Sequence, residues 1–253
     1  MKRIKGLISG GIRRRFVGAA STFAVLMLVL TAVVIGGKHE ELRPASARKA
    51  EPLVYALSYC DLDTEAGLLR LKDDIGYMKG EGLDFILPDE LGSVDRNSVI
   101  LIAEGRFDPV RLIGILKEHN ACAVFLAERD ASAELRTVFD VYAASGLIEP
   151  AAPIGKPFSP IGLMKELASA RETFFLRYGR DCSVFVHSCS NIICTDCFGG
   201  KMRELPFNAV VFIFGNGRNE APYLHAGSGL TVLNRVMRLP DWSIEQFFTE
   251  IAK

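Results

Sequence analysis

The sequence predicts an α/β fold built on a parallel sheet. Short apolar segments alternate with amphipathic segments of helical length from Leu53 to Ala252. One of them, Ala209-Val-Val-Phe-Ile-Phe214, is apolar throughout, the pattern of a strand covered on both faces. No internal repeat or low-complexity tract interrupts the alternation. The 253 residues, 49% hydrophobic and 24% charged, have the balance of a globular chain with room for one large domain. Lysine plus arginine number 30, as do aspartate plus glutamate, so no global field points to nucleic acid.

The amino-terminal end has its own character. Residues 1–15 carry Lys2, Arg3, Lys5, Arg13, Arg14 and Arg15 before any acidic residue. Residues 16–37 are free of charge, and Phe23 to Ile35 is almost wholly apolar. A helix of about 20 such residues is long enough to span a bilayer. The basic flank favours the cytoplasmic side, so the expected arrangement is a single-pass signal anchor with the carboxy-terminal domain outside. A cleaved signal peptide is the competing reading. Its best cleavage signal, Ala45-Ser46-Ala47, lies beyond a charged stretch. Residues 38–51 read as a charged linker, and 52–253 as the folded domain.

Leu53 to Leu57 reads as the first strand. Thr64 to Gly80 reads as a helix, with Thr64 as cap and Leu68, Leu71, Ile75 and Met78 at helical spacing. Leu83 to Leu87 is the next strand, and Pro88 to Leu91 starts a turn. Ser98 to Ala103 is a strand ending at Gly105. Pro109 to Asn120 is an amphipathic helix, and Ala121 to Leu126 a strand. Ala131 to Ala144 reads as a helix, and Ser145 to Pro160 as a loop rich in Ala, Pro and Gly. Ile161 to Arg177 is a helix with Leu163, Leu167, Ala170 and Phe174 on one face. Ser183 to His187 and Ala209 to Phe214 are strands. A loop with Gly215, Gly217, Gly227 and Gly229 follows, then Leu233 to Pro240 and a last helix from Ser243 to Ile251.

Three stretches carry a resemblance. Ser98 to Gly105 followed by Ile115-Leu-Lys-Glu-His-Asn120 and Ala121-Cys-Ala-Val-Phe-Leu126 resembles T-F-D-D-G, I-L-K-K-H and K-A-T-F-F of the polysaccharide deacetylase family. Tyr77 to Leu91 is similar to that family's Y-L-K-x-x-G-Y-x-x-I-S-L-D-E-L. Leu233 to Pro240 with the last helix is similar to its closing L-x-R-I-x-V-P and S-L-E-x-F-L. The resemblance covers roughly four-fifths of the chain and implies a distorted, incomplete (β/α) barrel of seven or eight strands, here preceded by one transmembrane helix.

The family's chemistry polarises an amide carbonyl with a divalent metal and activates water with an aspartate base. An aspartate and two histidines hold the metal. The resemblance puts the base position on Ala103, which has no ionisable group, and the metal aspartate on Glu104. The histidine motif, H-[ST]-x-x-H-P, falls on Ser145 to Pro150, so Ser145 and Glu149 stand for the histidines. The R-x-P motif falls on Val186 and Ser188. Serine is a poor ligand for a zinc-type cation, whereas Glu104 and Glu149 together have the oxygen donors of a hard-cation site. The plainer reading of both is a solvated rim carboxylate. His119 and His225 are read as a surface and a loop histidine.

Cys182, Cys189, Cys194 and Cys197 fall within sixteen residues, with His187 among them. Outside the cell, disulfides are the default for such a cluster. Cys122, between two alanines of a strand, suits a buried free thiol. Zinc is the alternative, with Cys194-Thr-Asp-Cys197 as one knuckle and Cys189 or His187 completing it.

The leading functional expectation is a membrane-anchored, catalytically degenerate polysaccharide-deacetylase-like domain. It would bind a cell-envelope glycan or an envelope protein, take no cofactor, and touch the membrane through residues 16–37. The alternatives are a divergent metal-dependent deacetylase using Glu104, Glu149, His187 and His225, with a divalent metal such as zinc, and an interaction module centred on Cys182 to Cys197.

Overall fold

The computed structural model describes residues 51–127, 133–155, 160–187, 207–220, 224–225 and 229–251. Seven parallel strands close into a barrel: β1 (Leu53–Tyr59), β3 (Ser98–Ala103), β4 (Ala123–Leu126), β5 (Ile148–Ile154), β6 (Val184–His187), β7 (Ala209–Phe214) and β10 (Leu230–Met237). The seam between β1 and β10 is the shortest join of the ring, with Leu57 opposite Val236 and Ser58 opposite Met237. Short strands flank it. β2 (Asp84–Phe85) pairs with the start of β3, β8 (Arg218–Glu220) runs antiparallel to the start of β1, and β9 (Leu224–His225) pairs antiparallel with β10. The α/β barrel expected from the alternation and the resemblance is therefore observed.

Helices cover the outside: α1 (Glu65–Gly80), α2 (Pro109–Glu118), α3 (Ala133–Tyr142), α4 (Pro160–Tyr178) and α5 (Ile244–Ile251). α1 starts where Thr64 accepts a hydrogen bond from the Gly67 amide. Its buried face is Leu68, Leu71, Ile75 and Met78, as the spacing predicts. α2 is capped by the Asp108 carboxylate, which accepts from the Val110 and Arg111 amides, and Pro109 takes the first turn, where its missing N–H costs nothing. Asn120, just after α2, adopts φ 47°, a left-handed conformation that asparagine tolerates.

Strand alternation divides the core in two. Val54, Ala56, Ile100, Ile102, Val124, Leu126, Ala151, Val184, Val186, Phe212 and Leu233 pack together inside the barrel. The residues between them, including Leu57, Leu101, Ala103, Phe125 and Phe185, pack outward against the helices.

The structure departs from the sequence reading in three places. β5 occupies a segment read as loop, because Pro150 and Pro153 each remove a ladder N–H and mimic a breaker. The strand expected over Leu83 to Leu87 shrinks to two residues, and a 3-10 turn, Pro88–Ser93, follows. The glycine-rich loop contains β8 and β9.

The single-pass membrane placement is corrected: among the described residues, no helix is long and apolar enough to cross a membrane. The segment 16–37 on which that placement rested lies outside the described residues.

Candidate functional site at the carboxy-terminal end of the barrel

The carboxy-terminal strand ends converge on a buried ion pair. Glu104 follows the last residue of β3, and its amide donates to the Tyr59 carbonyl at 2.9 Å, which prolongs the β1–β3 ladder by one step. By alternation its side chain shares the inner face with Ile100 and Ile102. There it meets Arg235, from the far half of β10. Arg235 Nη1 donates to Glu104 Oε1 at 2.8 Å and to Ser58 Oγ at 2.8 Å, and Nη2 donates to the His187 carbonyl at 2.9 Å. The Phe214 ring lies 3.8 Å from the guanidinium carbon, close enough for a cation–π contact. The side chains of Arg235 and Glu104 are 1% and 9% exposed, so the pair is desolvated. Burial holds the Arg235 guanidinium below its ordinary range, and the Glu104 charge and hydrogen bond oppose that shift.

A second buried pair stands behind the first, between the barrel and its helices. Arg238, just past β10, binds Asp74 of α1 through Nε at 2.8 Å and Nη2 at 3.1 Å. The Tyr59 hydroxyl donates to the same carboxylate at 3.0 Å. Burial, then the Asp74 charge, push the Tyr59 phenol well above its usual value, so it stays a donor. This cluster ties the end of β1, the end of β10 and α1 together.

The residues singled out from the sequence fall at different levels of this barrel. Glu104 is at the carboxy-terminal rim, inside. Ala103 faces the helix layer, within the outer core. His187 ends β6, and its carbonyl serves Arg235. Glu149 is the second residue of β5 and accepts from Ser183 Oγ at 3.3 Å, beside the starts of β6, β7 and β10. Ser145 lies earlier still, exposed on a 3-10 turn and donating to the Tyr142 carbonyl. Glu104 and Glu149 thus sit at opposite ends of the barrel and do not share a cation. His225, in β9, lies opposite Thr231, near the start of β10 and away from Glu104. His119 caps α2.

Among the described residues, no three His, Cys, Asp or Glu side chains gather in a way that holds a metal. A divalent ion also fits poorly at Glu104. The carboxylate that would bind it already faces a guanidinium, and the surrounding donors are a hydroxyl and a carbonyl. Bringing a second cation there requires Arg235 to leave.

Cys182 corrects the disulfide expectation in part. It is a buried free thiol, as is Cys122, while Cys60 is a free thiol at the surface. Cys182 Sγ donates to the Val184 carbonyl at 3.0 Å and contacts the Pro150 carbonyl at 3.6 Å. Cys189, Cys194 and Cys197 lie outside the described residues.

Sequence reasoning missed Arg235, Ser58 and the Asp74–Arg238 pair as site residues. A signal existed for Arg235. Leu230 to Met237 alternates as a strand, and Arg235 stands at an inward position, where an unpaired charge is not tolerated. The partner was not legible, because Glu104 is 131 residues away.

No protein-family model matches the chain, and no curated protein matches it by sequence. Solved structures do match its fold. IcaB from Ammonifex degensii superposes with a TM-score of 0.52 at 12% identity, over 81% of this chain and 99% of that one. The deacetylase PplD of Streptococcus pyogenes, solved in complex with acetate, superposes with a TM-score of 0.51 at 14% identity, over 80% of this chain and 98% of that one. The fold is thus a polysaccharide-deacetylase-type barrel, the one the motifs resemble.

Proposed function

We propose that this barrel is a catalytically degenerate polysaccharide-deacetylase-like domain that binds an acetylated glycan at its carboxy-terminal rim without hydrolysing it. One observation carries the reading. The carboxylate that the resemblance assigns to the metal is held by Arg235 at 2.8 Å, inside the barrel. Deacetylation needs a base to take a proton from water and a Lewis acid or equivalent to stabilise the developing oxyanion. Ala103 supplies no base and faces away from the rim. The guanidinium is held through Nη1 and Nη2 by Glu104, Ser58 and the His187 carbonyl. What the ion pair does supply is a fixed floor, since Arg235 ties the ends of β1, β3 and β6 together and leaves the loops above free to vary. The acetate complex of PplD, a protein of this fold, supports an acyl group as the moiety recognised.

The test uses the full chain and an N-acetylated chitooligosaccharide. Saturation-transfer NMR is expected to detect binding, and product analysis to detect no released acetate, with or without added zinc. Metal-dependent acetate release that disappears in Glu104→Ala would sink the proposal and restore the hydrolase reading.

A further inference from the structure

The opposite end of the barrel holds a cavity that the carboxy-terminal rim does not explain. Its volume is about 640 Å³. That lies within the range of about 300–1,000 Å³ usual for small-molecule sites. In barrel enzymes this end reads as a stability face, filled by layers of side chains. Here the layer is incomplete, because Ser183, Asn208 and Gly229 place small groups where the strands begin.

The lining is mixed and one-signed. Leu91, Val210 and Leu230 form an apolar wall; Glu149, Asp89 and Ser183 supply polar groups. Among the described lining residues there is no lysine, arginine or histidine. Glu149 is half-buried, and among the described residues its one hydrogen-bond donor is Ser183 Oγ at the long distance of 3.3 Å. A desolvated carboxylate with so little compensation invites a cation.

We infer that the amino-terminal mouth of the barrel is a second binding site, for a small hydroxylated molecule carrying a protonated amine. An ammonium group has three donors and no acceptor, which suits two carboxylates and a hydroxyl oxygen. Hydroxyls on the ligand match the Asn208 amide and the Ser183 hydroxyl, while its carbon skeleton lies on the apolar wall. A neutral polyol of the same shape gains the hydrogen bonds but not the charge.

The electrostatics agree. Burial first, and then the Asp89 charge, push the Glu149 carboxyl up to about 7, with the Ser183 hydrogen bond opposing. Among the described residues, the titratable groups around it are Asp89, on the 3-10 turn, and the Cys182 thiol. Burial pushes that thiol up to about 12, so it stays neutral. An ammonium beside Glu149 stabilises the charged carboxylate. Affinity therefore rises with pH as Glu149 ionises, and binding near neutrality releases a proton from it.

The probe is glucamine, a six-carbon amino polyol whose amine stays protonated through this range, with sorbitol as its neutral counterpart. Calorimetry on the full chain, in amine-free buffers at about pH 6 and about pH 8, is expected to show glucamine binding more tightly at the higher pH. Sorbitol should bind at least about tenfold more weakly, and Glu149→Gln should cost a similar factor. Asp89→Asn, at an exposed turn residue, should weaken binding less and serves if the first variant folds poorly. In NMR spectra the Val184 and Leu230 amides should shift while Gly105 does not. Equal binding of sorbitol, indifference to both substitutions, absence of binding, or shifts confined to Gly105 would each overturn the inference. The inference is independent of the acetylated-glycan reading. Arg235 variants test that rim and should leave glucamine binding unchanged.

Discussion

Replacing Arg235 with methionine probes the ion pair most directly. Methionine keeps the length of the stem and removes the guanidinium that pairs with Glu104, whose side chain is 9% exposed. Ser58 Oγ and the His187 carbonyl lose a partner as well. Removing one member of a buried pair typically costs about 3–5 kcal/mol, because the remaining charge keeps its desolvation penalty. For a domain of about this size, each kcal/mol is worth roughly 2–4 °C, so the melting temperature should fall by about 6–20 °C. Glu104→Leu combined with Arg235→Met removes both charges. It should lose at least about 1.5 kcal/mol less than the sum of the single variants. Urea titrations of the four proteins measure all of this. A single-variant loss under about 1 kcal/mol, or strict additivity, would refute the claim that this pair is desolvated and interdependent.

Three further outcomes are expected. Because the Glu149 carboxyl is pushed up to about 7, wild-type stability should decline as pH rises from about 5 to 8, by at most about 3 kcal/mol. Glu149→Gln should flatten that decline, and parallel melting curves for the two proteins would show that Glu149 does not titrate between the folded and unfolded states. Cys60 should react with a thiol reagent in the native protein, though slowly, since burial and then the Asp61 and Glu104 charges raise its thiol. Cys122 and Cys182, both pushed up to about 12, should react only on unfolding, and mass mapping of the labelled cysteines distinguishes these cases. Gly67→Ala should destabilise the domain by more than about 2 kcal/mol, because its Cβ would collide with the Asp61 backbone carbonyl; a thermal melt within a degree or two of wild type would contradict this.

Much of the fold was legible locally. Thr64 and Asp108 announce α1 and α2 because capping is a short-range hydrogen bond between near neighbours. Ala209 to Phe214 announces a doubly covered strand through composition alone. β5 was not legible, because Pro150 and Pro153 obey their local rule and the neighbouring strands override it. Within the site, sequence motifs located Glu104, yet they also aligned Glu149 with the same metal set. Only the closed barrel, which fixes which end of each strand a residue occupies, separates them.

The sequence by itself determined the periodicities and the caps, because these reside in single residues or near neighbours. The tertiary structure alone decided that Glu104 answers to Arg235, that Asp74 answers to Arg238, and that Glu149 lines a cavity at the other end. Those relations span 131 and 164 residues in the two ion pairs, and no local propensity acts over such a distance. They exist because closing seven strands into a ring forces inward-facing side chains from distant segments into one low-dielectric interior, where a charge must find its partner.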